Sequence, residues 1–236
     1  MHWPPVPDRR DTPELMDAPG LDPIEVAHAY RLLEKINRQF FGSLGSAGRE
    51  LDRFADEDMR NCGSATILDV GSGSGDIPAA LRDRLGRRGV SSIALALDRD
   101  PTALALAAGL GLPCLRADAL RLPFADASID LVTAAKFAHH FAGPALIRLL
   151  AEMARVARRR VVVVDIRRGW VAYYAFVAWS RLFAPNRLVR HDGALSVLRG
   201  FTAEELREAA SSIVGYRWEV RRHAGFQLAL IGRRER

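Results

Sequence analysis

Three glycines, each separated from the next by a single residue, lie in the segment ILDVGSGSGD at residues 67–76. Glycine at such places lets the backbone turn tightly and approach a ligand, because no Cβ intervenes. Gly71, Gly73 and Gly75 therefore indicate a ligand-binding loop, although a tight strand-to-helix connection alone would use one or two glycines. The spacing excludes two common nucleotide loops. A dinucleotide fingerprint needs its third glycine at position 76, which is aspartate here, and no Gly-Lys-Ser/Thr follows for a P-loop.

Two acidic residues follow the next apolar runs of the chain. Asp98 ends the run ALALD, and Asp118 lies in LRADALRLPFAD. A carboxylate accepts hydrogen bonds from two hydroxyl groups at once and repels a phosphate, so Asp98 suits a ligand with neighbouring hydroxyl groups. Two structural alternatives stay open: Asp98 as the cap of a helix that begins near Pro101, and Asp118 as a solvated turn residue.

In their order and spacing, these segments resemble the cofactor motifs of class I S-adenosylmethionine-dependent methyltransferases, in the small-molecule branch that includes the ubiquinone/menaquinone methyltransferases. The resemblance covers residues 65 to about 165. It implies S-adenosyl-L-methionine as the cofactor, with the ribose hydroxyls on Asp98 and the adenine between the Asp118 side chain and the backbone N–H of Ala119. The cofactor-binding residues that it implies are Asp69, Gly71, Ser72, Gly73, Gly75, Asp98, Arg99, Asp118, Ala119 and Lys136.

Three residues of this set have less direct roles. The resemblance implies that Asp69 orders the glycine loop more than it touches the ligand, and that Arg99 or its backbone flanks the adenine. Lys136 stands where relatives in this branch often have a small or apolar residue. It stays open between a contact in the site and a surface charge.

Histidines are the candidate catalytic residues. Methyl transfer from a sulfonium is an in-line displacement, in which the protein aligns the acceptor and excludes water. A neutral phenol is a poor nucleophile and needs a base. His139 and His140 follow the fourth apolar run, and His191 stands next to Asp192. Each also has a structural alternative, a cofactor-loop role for the pair and a polar loop for His191. No HxxxH, CxxC or carboxylate cluster supports a metal, so we expect none.

The elements that must position these residues follow from an alternation of short apolar runs with helix-like stretches. The runs ATILDV, SIALALD, IDLVTAA and RVVVVDI are typical of buried parallel strands, which right-handed crossovers link through helices. The pattern predicts an α/β fold with a doubly wound, mostly parallel, seven-stranded, Rossmann-like sheet. Helices are predicted at 77–85, 101–110, 145–157 and 202–210, the last opened by a capping box of Thr202 and Glu205, and closing strands at 216–220 and 226–231.

A helical region precedes the first strand. Residues 1–60 are predicted to comprise an irregular tail, over about the first 20 residues, and an N-terminal helical lid. The lid would fold over the cofactor crevice and become ordered on binding. Tyr30, Phe40 and Phe41 would supply its contacts.

The methyltransferase core is predicted at 61–236, with an acceptor-side insertion at 167–200 after the fifth strand. The aromatic stretch from 170 to 179 favours one wall of a pocket for an apolar, planar acceptor, because rings offer large contact area with little rotamer entropy to lose. His140 or His191 would face the methyl group there. The alternative is a plain lid helix packed on the sheet. About ten apolar residues are too few to span a bilayer, which needs roughly 20, but the flanking arginines suit a transient contact with a membrane surface.

Composition limits the remaining classes. The chain of 236 residues is within the size of one domain. Its net charge of +6 is carried almost entirely by arginines in short, scattered runs, so we expect no nucleic-acid partner. Two cysteines without a metal or disulfide pattern fit a reducing cytoplasm. The first residues show no signal-peptide pattern.

The expected function is S-adenosylmethionine-dependent methyl transfer to a small apolar acceptor, most directly O-methylation of a phenolic or enolic polyketide- or quinone-type compound. Two alternatives stay open: C-methylation of a quinone precursor, and a non-catalytic protein that only binds S-adenosylmethionine. An NAD-dependent oxidoreductase would need the third glycine that this loop lacks.

Overall fold

A single seven-stranded sheet organises the computed structural model, which describes residues 6–18, 20–39, 43–59, 62–184 and 186–235. The strand order is β3-β2-β1-β4-β5-β7-β6, and only β7 runs antiparallel to its neighbours. The predicted doubly wound, mostly parallel fold is confirmed. The strands are β1 Ser64–Val70, β2 Ser91–Asp98, β3 Cys114–Arg116, β4 Ile129–Ala135, β5 Ala157–Ile166, β6 Tyr216–His223 and β7 Gln227–Arg234.

Helices cover both faces of this sheet. Successive strand residues point to opposite faces, so Ile67 packs among the helices of one face and Leu68 among those of the other. The predicted capping box is present, since Thr202 Oγ1 accepts from the Glu205 N–H and the Glu205 carboxylate accepts from the Thr202 N–H. The helices are α1 Pro23–Gln39, α2 Ser43–Asp58, α3 Asp76–Arg87, α4 Pro101–Gly109, α5 Gly143–Val156, α6 Trp170–Phe183, α7 Arg187–Arg199 and α8 Ala203–Ser211.

The strand order places a crevice at the carboxyl ends of β1 and β4. Strand β1 pairs with β2 on one side and with β4 on the other, so the chain leaves these strands in opposite directions. Such a switch point is where open α/β sheets bind ligands. The glycine loop, which follows β1, and the histidine pair, which follows β4, both lie at this edge.

The insertion after β5 is a pair of packed helices, α6 and α7. The polar loop expected around His191 is instead part of α7, which begins after the Asn186 side chain accepts the Leu188 and Val189 N–H groups. Gly193 makes the pairing possible, because a Cβ there would lie 2.1 Å from the ring of Phe176. Neither α6 nor any other helix within the described ranges is long and apolar enough to cross a membrane.

The N-terminal segment from 6 to 18, here called the strap, is packed against the carboxyl edge of the sheet. Its backbone is irregular, as expected, apart from a 3₁₀ turn at Leu15–Asp17, but the segment is packed on the protein and is not a free tail. The Arg9 guanidinium donates to the backbone carbonyl of His139 at 2.9 Å. The Asp192 carboxylate accepts from the backbone N–H of Leu15 at 2.7 Å and from that of the next residue at 2.9 Å. Long-range polar contacts hold this segment, so apolar periodicity gave no sign of it.

Of the region predicted as a tail and lid, α1 and the strap line the crevice and α2 does not. Helix α2 packs Leu51 and Phe54 into the core between α3 and the sheet. Tyr30 of α1 lines the crevice. Phe40 and Phe41, the other two residues expected to contact the cofactor, lie outside the described residues.

Candidate active site

A cavity of about 910 Å³ occupies the crevice. The glycine loop, the ends of β2 and β4, the strap, α1, α6 and α7 all contribute to its wall. Nine of the ten cofactor residues that the sequence predicts line this cavity: Asp69, Gly71, Ser72, Gly73, Asp98, Arg99, Asp118, Ala119 and Lys136. Gly75 is not among the lining residues.

The three loop glycines make room for protein as well as for a ligand. All three have left-handed φ values, of +69°, +53° and +80° in chain order. A Cβ on Gly71 would lie 2.1 Å from the ring of Phe137, and a Cβ on Gly75 would lie 2.7 Å from the Cβ of Ala107. Gly75 is therefore needed where the loop packs against α4.

The Asp98 carboxylate anchors the glycine loop from the end of β2. One oxygen accepts from the Gly73 N–H at 2.9 Å, and the other accepts from the Asp100 N–H at 3.0 Å. Asp98 is not the cap of α4. That cap is Asp100, whose side chain accepts a hydrogen bond from the Thr102 N–H. A carboxylate has about four lone-pair sites, so Asp98 retains acceptor capacity for a ligand in the cavity.

Asp118 and Arg99 lie at the exposed end of the cavity. Asp118 accepts from the Leu120 N–H at 2.9 Å, which is the turn contact of its structural alternative, and it also lines the cavity. The guanidinium of Arg99 is 74% exposed and forms an ion pair with Asp17 of the strap. Both residues therefore lie at the solvent-exposed margin of the cavity.

Two buried groups of opposite sign lie deeper. Asp69 accepts from Thr133 Oγ1 at 2.6 Å, and burial raises the pKa of its carboxyl to about 7, with a contribution from the Asp76 carboxylate. Burial lowers the pKa of Lys136 to about 7, although Asp165 and Asp76 oppose that shift. The surface-charge alternative for Lys136 does not fit this position.

One buried polar atom in the loop is available to a ligand. Ser72 is 5% exposed and lines the cavity, and its hydroxyl oxygen has no hydrogen-bond partner among the described residues. An unsatisfied buried hydroxyl is costly and calls for a partner. Asp69 and Asp98 line the same cavity, and together these three side chains offer donors and acceptors that fit a nucleoside carrying an amino acid.

The histidine pair lies on a short 3₁₀ turn after β4. His139 is buried, and its Nδ1 lies 2.8 Å from Asp165 Oδ1. Burial opposes the charged imidazole, but the carboxylates of Asp165 and Glu14 prevail and raise the pKa of His139 to about 9. His140 is half-buried, and its Nδ1 lies 3.3 Å from Asp17 Oδ2. Both rings line the cavity.

The third candidate base lies elsewhere. The side chain of His191 is 51% exposed and does not line the cavity. Its Nδ1 lies 2.8 Å from Asp192, as the adjacent pair of residues suggests, but Asp192 serves the strap rather than a reacting group. The structure therefore does not place His191 where it would face a methyl group.

Glu14 is a cavity residue that the sequence analysis missed. It is 8% exposed, on the strap, with Oε1 3.4 Å from His139 Nε2 and Oε2 3.7 Å from His140 Nε2. Ser196 Oγ donates to Oε1 at 2.6 Å. Burial opposes the charge of Glu14, but the neighbouring imidazoles of His139 and His140 keep the pKa of its carboxyl below its usual value. No local pattern marks this residue, because its partners are distant in sequence.

Apolar residues line the part of the cavity beside α6 and α7. Of the aromatic stretch predicted as a wall, only Phe176 lines the cavity, while Val171 and Tyr174 point outward. Val189 of α7 and Phe141 after the histidine pair complete this side. Of the aromatic wall that the sequence predicts, only the ring of Phe176 lies at the cavity.

Comparison with known proteins agrees with this geometry. The methyltransferase domain family matches residues 68–164. An uncharacterized methyltransferase of Mycobacterium sp. (strain JLS) is 31% identical over 167 residues, which are 70% of this chain and 60% of that protein. The ubiquinone/menaquinone biosynthesis C-methyltransferase UbiE of Laribacter hongkongensis is 28% identical over 137 residues, 53% of this chain and 54% of that protein. The chain thus spans less than two thirds of the length of these curated relatives.

Solved structures share the fold at low sequence identity. The plantazolicin methyltransferase BpumL in complex with SAH has a TM-score of 0.63 at 12% identity, covering 90% of this chain and 96% of that one. Magnesium protoporphyrin IX methyltransferase from Synechocystis PCC 6803 with bound SAH has a TM-score of 0.57 at 12% identity, covering 93% and 91%. Residues 68–164 are a methyltransferase domain, and the resemblance to class I S-adenosylmethionine-dependent methyltransferases that the sequence shows is confirmed. S-adenosylmethionine is the cofactor of that class.

Proposed function

We propose that the protein transfers the methyl group of S-adenosylmethionine to a phenolic or enolic oxygen of a small, rather apolar polyketide- or quinone-type molecule. The observation that carries the proposal is that two sets of side chains line one cavity. The cofactor-motif residues are one set, and Glu14, His139 and His140 with apolar residues of α6 and α7 are the other. Its volume of about 910 Å³ is at the upper end of ordinary ligand sites, which span about 300–1,000 Å³.

The residues at the loop end would hold the cofactor. Asp98 would accept the ribose hydroxyls, Asp118 and the backbone of Ala119 would meet the adenine, and Ser72 and Asp69 would face the amino-acid portion. When bound, S-adenosylmethionine supplies an electrophilic methyl carbon. Tyr30 and the strap would exclude water from this end, because the Tyr30 ring lies 3.5 Å from the position of a Cβ on Gly73 and its hydroxyl donates to Asp100 at 3.0 Å.

The cluster of Glu14, His139 and His140 would orient the acceptor oxygen and receive its proton. Proton removal matters because a neutral phenol or enol is a weak nucleophile. His140 is the more accessible ring, and its Nδ1 is held by Asp17. His139 is held between two carboxylates inside the protein, which suits a positioning role.

A turnover assay with methyl-labelled S-adenosylmethionine and a panel of phenolic and quinone-type acceptors tests this function. His140→Ala should reduce turnover by roughly 10²-fold or more, with the affinity for S-adenosylhomocysteine retained. His191→Ala is the matched control, since that ring is exposed and outside the cavity, and it should keep near-normal rates. If replacements of His139, His140 and His191 all leave the rate near normal, the base assignment is withdrawn.

The same assay separates the remaining alternatives. C-methylation of a quinone precursor would place the label on carbon, which nuclear magnetic resonance of the product distinguishes from a methoxy group. A protein that binds the cofactor but transfers no label to any acceptor in the panel would support the non-catalytic alternative. One relative is named as a C-methyltransferase, and this supports testing a carbon acceptor as well.

We also propose that the outer face of α6 meets an anionic lipid surface, from which an apolar acceptor could be taken. Val171, Tyr174 and Leu182 of this face are more than half exposed. The segment 166–191 contains five arginines and no acidic residue. Arg168 and Arg187 pair with Glu205 and Glu25, but Arg181 and Arg190 are exposed and would suit anionic headgroups. Sedimentation with phosphatidylglycerol vesicles should capture the protein, and Leu182→Asp should weaken capture. Equal sedimentation with neutral vesicles, or self-association through this face, would contradict the proposal.

A further inference from the structure

Glu14, His139 and His140 bring three metal-ligating atoms together in the wall of the cavity. One ring nitrogen of each histidine and one carboxylate oxygen of Glu14 all lie within 4.8 Å of one another. The closest approaches are 3.4 Å from His139 Nε2 to Glu14 Oε1 and 3.7 Å from His140 Nε2 to Glu14 Oε2. These distances are too long for good hydrogen bonds, which run from about 2.7 to 3.2 Å. They are close to the separation of about 3.4 Å expected between two tetrahedral ligands that are each about 2.1 Å from a zinc ion.

Each ligand is also held from behind by a second polar group. A carboxylate oxygen of Asp165 lies 2.8 Å from Nδ1 of His139, and a carboxylate oxygen of Asp17 lies 3.3 Å from Nδ1 of His140. Ser196 donates to the Glu14 carboxylate at 2.6 Å. Carboxylates on the far nitrogen of a histidine fix its ring so that Nε2 points to a metal, and this arrangement is typical of built metal sites.

The backbone around the pair is fixed as well. Arg9 and Arg199 both donate to the carbonyl oxygen of His139, at 2.9 and 3.2 Å, and Arg199 donates to that of His140 at 3.0 Å. These contacts tie the strap, α7 and the histidine turn into one unit. Two separate parts of the chain, the strap and the histidine turn, therefore bring these three side chains together.

We propose that Glu14, His139 and His140 form a binding site for a divalent first-row transition metal ion, with zinc as the type case. Two imidazoles and one carboxylate suit such an ion better than magnesium or calcium, which prefer all-oxygen sites. Three protein ligands leave a coordination position open toward the cavity, the pattern of catalytic rather than structural sites. This inference rests on the proposed function for its purpose; with a cation bound, His140 would be a ligand instead of the base, and the cation would make a phenolic or enolic oxygen more acidic.

Metal binding by the full chain, prepared without a polyhistidine tag, tests the site. The protein is stripped with a chelator, loaded with Co²⁺ and desalted. Bound cobalt is then counted by mass spectrometry and its visible d–d absorption is recorded. The wild-type chain and His191→Ala, which changes a histidine outside the cavity, should each retain about one cobalt per chain with the intense bands of a low-coordinate site. Glu14→Gln and His140→Ala should lose the bands and bind cobalt at least tenfold more weakly.

A folding control keeps these outcomes distinct. The variants are compared by circular dichroism and by their affinity for S-adenosylhomocysteine, and Asp17→Asn serves as a milder variant with all three ligands present, expected to weaken cobalt about tenfold. A wild-type chain that retains no cobalt, or retention that is equal in wild type and in folded Glu14→Gln, overturns the site. Methyl transfer by the chelator-treated enzyme at the full rate would overturn the metal's role and leave the proposed function intact. Cobalt bound as expected, without methyl transfer to any acceptor, would do the reverse.

Discussion

Replacement of Asp98 separates ligand binding from loop structure. Its carboxylate accepts the Gly73 and Asp100 N–H groups and still has lone pairs for the two ribose hydroxyls. A hydrogen bond to a charged group contributes about 1.5–3 kcal/mol. Asp98→Ala should therefore weaken the binding of S-adenosylhomocysteine by about 2 kcal/mol, or about 30-fold in Kd. Loss of the two backbone contacts should also lower the midpoint of thermal unfolding.

Isothermal titration calorimetry of the wild type and of Asp98→Ala measures this loss. Asp98→Asn keeps the size of the side chain and should fall between the two. Asp83→Ala, at an exposed position on α3, is the matched control and should bind normally. NADH should not bind to any of them. If Asp98→Ala unfolds at a lower temperature but keeps its affinity, the carboxylate only anchors the loop and the ribose assignment is refuted.

Three further predictions follow from the cavity and its walls. Deleting residues 1–42 should leave a folded core that binds S-adenosylhomocysteine more weakly and turns over more slowly, because the strap and Tyr30 cover the crevice. Turnover equal to that of the whole chain would contradict the lid interpretation. Gly75→Ala should cost about 1–3 kcal/mol of unfolding free energy, since its Cβ would lie 2.7 Å from that of Ala107, and an unchanged urea midpoint would contradict this. The pKa of Asp69 is raised to about 7, so the folded state holds this proton more tightly than the unfolded chain, and the unfolding free energy should decline as the pH rises from about 4 to about 7. Asp69→Asn should reduce that decline. An equal slope in both proteins would contradict the prediction.

The sheet and the cofactor end of the cavity were predictable because local signals encode them. Four apolar runs with intervening helical stretches define the parallel sheet, and a topological rule then places the residues after each strand at one edge. The spacing of Gly71, Gly73 and Gly75 and the position of Asp98 at a strand end needed no tertiary contact to be read. The sequence did not indicate that Gly75 is required for the packing of the loop against α4.

The acceptor end was not predictable in the same way, because its contacts join distant parts of the chain. Glu14 meets His139 across 125 positions, and nothing in the strap's own sequence marks it as buried. The adjacent His191 and Asp192 suggested an oriented base, yet Asp192 is used to hold the strap. Local adjacency shows that two groups can interact, but only the fold shows which group faces the cavity.

A crystal structure with bound S-adenosylhomocysteine tests the central claim most directly, because it reports every part of the site at once. We predict that the ribose hydroxyls lie on the Asp98 carboxylate, the adenine lies beside Asp118, and the sulfur faces the end of the cavity lined by His140 and Glu14. S-adenosylhomocysteine bound outside this cavity, or with its sulfur directed away from that cluster, would contradict the account.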